Sequence, residues 1–377
     1  MTAWLKQVLD DVQTQKQAKA PWLDGYAPIL VYGTGTFAQD IQRVLTDHGL
    51  PVHGFVDHMV RQPPYLNGIP VFTPETIQVS SKTGRDPVIV LGIHNYQANV
   101  PQIMQRLGAC GCTRVVNTIE LYDFFGDVLG VRYWLTSRAF YPPLEPVLEE
   151  LLALWSDEPS RSLYRSILEF RLRGDASLLP PPDLANPYHP LDLPPWKKPL
   201  RFVDCGAFNG DTLADFIRNG IEIEAVAAFE PDLVNFNQLA HFTIDNREKM
   251  PSIQLWPCGV FSSTRQLKFE TGQGMASNIS STGATVIQCV ALDEVLPTFS
   301  PNLIKMDIEG AEYDALLGAR NLIATHRPGL AISLYHRPEH LWQLPLLVER
   351  LAPGQYQFML RSHALNDFEL VLYAIPV

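Results

Sequence analysis

Apolar positions along this chain follow two different rhythms. Trp4, Leu5, Val8, Leu9 and Val12 recur at the spacing of one helix face, which predicts an amphipathic packing helix within an N-terminal segment of residues 1–25. From Ile29 the rhythm changes to short apolar runs broken by glycine turns. Ile29-Leu30-Val31-Tyr32 reads as a strand, Gly33-Thr34-Gly35 as a loop, the stretch to about Gly49 as a helix, and Val52 to Val56, ending at Asp57, as a second strand. A strand at Val88 to Leu91, a helix after Asn95 and a short strand at Arg114 to Val116 complete a small Rossmann-like α/β domain, residues 26–118. Residues 119–179 read as helices, through Val147-Leu148-Glu149-Glu150-Leu151-Leu152 to Ile167-Leu168, and form a helical connector. Eight prolines stand between Pro180 and Pro199, too dense for helix or central strand, so residues 180–199 are a linker.

The alternation then resumes over residues 200–377. Arg201 to Cys205, Ala225 to Phe229, Leu303 to Met306 and Leu330 to Leu334 read as strands, Asp211 to Asn219 as a helix, and about Ala311 to Leu317 as a helix stopped by Gly318. Strands alternating with helices imply a mostly parallel sheet. Gln355 to Leu360 and Leu370 to Ile375 have no helix between them and are expected to pair antiparallel. The fold class is therefore α/β, in two domains.

Composition narrows the function classes. With 377 residues, 46% of them apolar and 18% charged, the chain has ample material for buried cores. Its net charge of -11 disfavours nucleic acid and anionic membrane surfaces as partners. No apolar run approaches the roughly 18 residues of a membrane span, and a signal-peptide pattern is missing, so a cytoplasmic location is expected. Of five cysteines only Cys110 and Cys112 form a close pair, without a second Cys or His pair at zinc spacing.

Three segments carry candidate chemistry. In Asp204-Cys205-Gly206-Ala207-Phe208-Asn209-Gly210-Asp211-Thr212 a strand delivers an acid, Gly206 permits a tight turn, and Gly210 lets backbone approach a ligand at a helix start. An anion before the glycine opposes a phosphate but suits a ligand with an ammonium and a sulfonium, which favours S-adenosylmethionine over a dinucleotide. Glu230, followed by Pro231, lies 24 residues after Gly206, near the spacing at which an acid meets ribose hydroxyls. The third segment puts Asp307 at a strand's carboxyl end and Glu309 on the following turn, where two acids can orient an acceptor hydroxyl or take its proton. Helix capping is the competing reading of these acids. His336, after the strand ending at Leu334, belongs to the same sheet edge, and an ordinary pKa near 6.5 would suit it to act as a base. No metal is assigned, although acid and imidazole ligands at Asp307, Glu309 and His336 would suit a divalent ion.

These residues, with Phe229-Glu230-Pro231, Val290-Ala291-Leu292-Asp293, Lys305-Met306-Asp307-Ile308-Glu309-Gly310-Ala311-Glu312 and the closing Leu370-Val371-Leu372-Tyr373-Ala374, resemble the FkbM family of S-adenosylmethionine-dependent methyltransferases over about residues 200–377. The resemblance implies a class I methyltransferase sheet with an antiparallel final hairpin, S-adenosylmethionine as cofactor, and O-methylation of a sugar, glycoconjugate or secondary-metabolite hydroxyl. Carried onto this sequence, it places Asp204, Gly206, Ala207, Asn209, Gly210, Asp211, Thr212, Glu230, Pro231 and Asp307 at the cofactor, and Asp307, Glu309 and His336 beside the transferred methyl. Phe208-Asn209 stands where a dinucleotide loop has a third glycine. In the first domain, Gly33, Gly35 and Asp57 fit a nucleotide fingerprint, and Val31 to Asp57 with Leu66 to Val71 is similar to the N-terminal domain of nucleotide-sugar acyltransferases. That likeness implies a nucleotide-sugar site; an empty scaffold forming a homodimer is the alternative. For the whole chain, the competing functions are a non-catalytic nucleotide-sugar-binding partner in glycan assembly and an NAD-dependent oxidoreductase.

Overall fold

The computed structural model describes residues 3–16, 27–59, 64–77, 86–269 and 285–377, so the boundary expected at residue 25 lies outside the described residues. The chain divides into two compact units that interleave in sequence: Met1–Glu150 with Ser162–Pro181 and Ala364–Phe368, and Leu151–Arg161 with Pro182–His363 and Glu369–Val377.

In the first unit the helix Ala3–Lys16 buries Leu5, Val8, Leu9 and Val12, the face its periodicity marks out. Strands β1 (Ile29–Tyr32), β2 (Val52–Val56), β3 (Tyr65–Leu66), β4 (Ile69–Phe72), β5 (Val88–Leu91) and β6 (Val115–Val116) form a sheet in the order β3-β4-β2-β1-β5-β6. All its pairs are parallel except β3 with β4. Both β1 and β5 are buried at every position, and this is why they read as unbroken apolar runs. The helix expected after Asn95 runs Val100–Ala109, started by Asn99, whose side chain accepts from Gln102 N.

The second unit holds β7 (Leu200–Cys205), β8 (Ile223–Phe229), β9 (Ser252–Trp256), β10 (Gly259–Val260), β11 (Arg265–Phe269), β12 (Thr285–Val290), β13 (Leu303–Met306), β14 (Gly329–Ser333), β15 (Tyr356–Ser362) and β16 (Leu370–Pro376). Seven of them make one sheet in the order β15-β16-β14-β13-β7-β8-β9, in which β16 alone runs antiparallel to its neighbours. The final hairpin pairs Tyr356 with Pro376 through to Ser362 with Leu370, as the missing helix between them implies. Residues 155–160 cover the outer edge of β15: Ser156 N donates to Phe358 O at 2.8 Å, and Ser160 Oγ accepts from Leu360 N at 2.8 Å. A covered edge cannot template pairing with another chain.

Two features depart from the sequence reading. A three-stranded sheet, β10-β12-β11, was not expected, because β12 leaves Val286 59% exposed and its alternation is imperfect. The helix expected to stop at Gly318 does end there, as Glu312–Gly318, but the glycine is its buried last residue rather than a cap beyond it, and a Cβ there would lie 2.1 Å from Phe261 O. Close approach of two backbones, rather than capping, requires glycine at this position. The proline-rich stretch packs within the second unit, where Tyr188 and Leu193 join the core around Phe202, Val226 and Leu303.

Candidate active site

The carboxyl ends of β7, β8, β13 and β14 and the beginning of antiparallel β16 meet at one edge of the seven-stranded sheet, the edge at which open parallel sheets hold their ligands. After β7 the chain turns at Gly206 (φ 78°), whose N and that of Ala207 both donate to Phe229 O at 3.0 Å. A Cβ on Gly206 would lie 2.0 Å from Asp307 O. The glycine therefore brings the first loop against the turn that carries the candidate catalytic acids. Gly210 (φ 89°) opens the helix Asp211–Arg218 and packs on Phe242, leaving no room for a side chain.

Asp204, the penultimate residue of β7, is fully buried and is register partner to Lys305 on β13. Lys305 Nζ donates to Asp204 Oδ1 at 3.1 Å and to Gly206 O at 2.7 Å, 5.2 Å from the centre of the Tyr188 ring. Burial pushes the Asp204 carboxyl up to about 6 against the pull of Lys305, whose own pKa burial opposes and Asp204 raises. The acid read as a direct partner for a cationic ligand is thus half committed to a lysine, while its buried Oδ2 has no hydrogen-bond partner among the described residues.

Glu230 follows β8 and is 6% exposed. Its Oε2 accepts from Phe208 N at 2.9 Å and its Oε1 from Asp232 N at 2.8 Å, so one carboxylate braces the glycine loop and the next helix start. Burial raises its pKa to about 7, with those two bonds pulling down. Asn209 and Pro231 are half-buried and Thr212 is buried; Asp211 is exposed, its carboxylate accepting from Thr212 N at 2.8 Å.

The structure gathers Asp307, Glu309 and His336. His336 Nε2 lies 3.3 Å from Asp307 Oδ1 and 3.6 Å from Glu309 Oε2, while Nδ1 lies 2.7 Å from Glu312 Oε1. Burial alone would lower the pKa of His336, but Glu312, Glu309 and Asp307 carry it up to about 10. The surrounding carboxylates favour the charged imidazole, which counts against His336 as a base near neutrality. Glu312 is fully buried; burial pushes its carboxyl up, but His336 and His340 outweigh this and bring it down to about 2. Burial raises Glu309 to about 8 although His336 opposes the rise. Glu309 and Gly310 both adopt positive φ, 54° and 100°, and the turn is held because Glu312 Oε1 also accepts from Ile308 N at 2.9 Å and Gly310 N at 3.4 Å.

Sequence reasoning overlooked several neighbours. Tyr188 donates from its hydroxyl to Asp307 Oδ2 at 3.0 Å, and Tyr335 donates to Glu369 Oε1 at 2.9 Å, 3.4 Å from Asp307 Oδ1. Glu369 carries a pKa raised by burial to about 7. Lys305 had a signal, a charged residue in a strand otherwise apolar, whereas Tyr188 was hidden in a segment dismissed for its prolines. In the first unit Gly33 (φ 107°) packs 2.9 Å from Gly92 O at its missing Cβ, but Gly35 (φ -74°) faces open space. Asp57 is buried and accepts from Thr34 Oγ1 at 2.6 Å and Met59 N at 3.2 Å, so it ties down its own glycine loop.

A doubly wound sheet with one reversed strand beside its edge, a glycine turn after the first strand, and acids at the ends of the second and fourth define a methyltransferase-type Rossmann fold. Residues 204–366 match the methyltransferase FkbM domain. The fold extends over the whole chain of a solved protein, the methyltransferase FkbM from Methylobacillus flagellatus KT, with a TM-score of 0.81, 23% identity, and coverage of 98% of this chain and 97% of that one. No curated protein matches the sequence. No helix among the described residues is long and apolar enough to cross a membrane.

Proposed function

We propose that the chain is an S-adenosylmethionine-dependent O-methyltransferase whose acceptor is a hydroxyl of a sugar, glycoconjugate or secondary metabolite. The observation that carries this reading is the direct packing of the donor loop at Gly206 on the backbone of Asp307, which sets the cofactor residues beside an acid pair. The donor set suits the cofactor: Asp204 Oδ2 is a buried acceptor without a partner among the described residues, and Glu230 retains acceptor capacity beyond its two backbone bonds. When bound, S-adenosylmethionine supplies a methyl group on a sulfonium, open to in-line attack by an oxygen.

The protein's contribution is placement and a destination for the proton. Asp204 and Glu230 hold the methionine and ribose ends. Asp307 and Glu309 would orient the acceptor hydroxyl and take its proton. His336 and Tyr188 fix the Asp307 carboxylate in place. A sugar acceptor is supported by the open approach to Gly35 at the start of the helix Thr36–Asp47, where backbone N–H groups suit a diphosphate. The test is transfer of labelled methyl to a panel of hydroxylated acceptors by the full chain. Asp307→Asn is expected to reduce turnover by about 100-fold or more while leaving donor affinity unchanged. Equal turnover in that variant, or transfer to amines but not to hydroxyls, would contradict the proposal.

A further inference from the structure

Asp307, Glu312 and His336 bring one ligand-capable atom each to within 4.8 Å of one another. The imidazole sorts these acids into two roles. Glu312 Oε1 sits on Nδ1 at 2.7 Å, and the whole Glu312 side chain is inaccessible to solvent. Asp307 and Glu309 sit on the other ring nitrogen, at 3.3 and 3.6 Å from Nε2, on side chains 22% and 18% exposed. An ion bound at Nε2 cannot also touch the oxygen beyond Nδ1, because the two ring nitrogens point apart. From this arrangement we infer a divalent-cation site formed by Asp307, Glu309 and His336 Nε2, with Glu312 as the outer carboxylate that orients the imidazole.

Two features support the assignment. A histidine that ligates a metal almost always donates its other N–H to a carboxylate or carbonyl, which fixes tautomer and ring orientation, and the Glu312–His336 contact has that form. In addition, the same Glu312 oxygen accepts from Ile308 N and Gly310 N, so one buried group positions both the ring and the strained turn that presents Asp307 and Glu309. Two carboxylate oxygens and one imidazole nitrogen form a donor set for Mg²⁺, Mn²⁺ or a similar ion with positions left for oxygen ligands. Such an ion would take the place of the Nε2 proton and draw an acceptor with two neighbouring oxygens, a vicinal diol or hydroxy acid, into the site. This substrate class rests on the methyl-transfer reading; the ion site itself does not.

The experiment uses the full chain after treatment with a chelator, titrated with Mn²⁺ without methyl donor or acceptor and followed by electron paramagnetic resonance. The expected result is one tightly held Mn²⁺ per chain, with Glu309→Gln weakening it at least about tenfold and the exposed Glu224→Gln leaving it unchanged. Glu309 is partly exposed, so its variant is expected to fold, which circular dichroism checks; Glu312→Gln is a second variant, with a loss of about 10- to 100-fold. No retained Mn²⁺ at millimolar concentration, or an affinity indifferent to Glu309→Gln, overturns the site. Because no donor is present, either result leaves the methyltransferase proposal standing or falling by its own test.

Discussion

Replacing Lys305 by Met keeps an unbranched side chain of similar length and removes only the ammonium. Lys305 is 2% exposed, and its ammonium donates to Asp204 Oδ1 at 3.1 Å and to Gly206 O at 2.7 Å. Its loss leaves the Asp204 carboxylate buried without a counter-charge. Breaking a buried pair by removing one partner costs about 3–5 kcal/mol, against about 0–1 kcal/mol for an exposed pair. Asp204 can relieve part of this by taking a proton, since burial already raises its pKa to about 6 from 3.8 and the loss of Lys305 raises it further. An acid with a raised folded pKa contributes stability that is complete below its unfolded value and is lost as pH rises through the folded one. The cost of Lys305→Met is therefore small near pH 4 and grows to about 3 kcal/mol at pH 8. Urea unfolding, read on the transition of the second unit, measures it, and Asp204→Asn alone and combined with Lys305→Met completes a double-mutant cycle. A coupling of about 2 kcal/mol is expected at pH 8. Strict additivity, or a cost below about 1 kcal/mol at that pH, would refute the view that these two residues form one buried unit beneath the donor loop.

Gly206→Ala is expected to cost more than about 3 kcal/mol or to prevent folding of the second unit, because its Cβ would lie 2.0 Å from Asp307 O at a positive φ. Gly35→Ala, with nothing within 4 Å and φ -74°, should stay within about 1 kcal/mol of wild type, and thermal unfolding compares the two. Glu230 has its pKa raised from 4.5 to about 7, so its contribution to stability is greatest below pH 4.5 and is lost as pH rises through 7. Relative to Glu230→Gln, the wild-type chain without donor should lose up to about 3 kcal/mol between pH 4 and pH 8; a difference that grows with pH would show the sign to be wrong.

Much of this fold was legible because burial writes itself into sequence. Strands β1 and β5, buried at every position, appear as unbroken apolar runs, β7 and β13 as apolar runs interrupted only by Arg201 and Asp204 and by Lys305, and the absence of a helix between β15 and β16 announced the reversed strand. The three-stranded β10-β12-β11 sheet was missed because the outward face of β12 carries the apolar Val286 beside Gln288, so residue type does not alternate along the strand. In the site, acids next to glycines at strand ends were readable, since strand ends and turns have local signatures. Their partners were not. Pairing Lys305 with Asp204 spans 101 residues, and Tyr188 reaches Asp307 across 119, so only the assembled sheet reveals either. The sequence also assigned His336 an ordinary pKa, because charge on a histidine depends on which carboxylates surround it, and Glu312 was visible only as part of a motif.

The central claim is that the loop after β7 and the acid after β8 hold a methyl donor, and calorimetric titration of the full chain with S-adenosylmethionine and S-adenosylhomocysteine tests it most directly. The account predicts one site per chain with a dissociation constant in the micromolar range, of about -8 kcal/mol, and a weakening of about 10- to 100-fold in Glu230→Ala. Failure of wild-type chain to bind either molecule, or an affinity unchanged by Glu230→Ala, would contradict it.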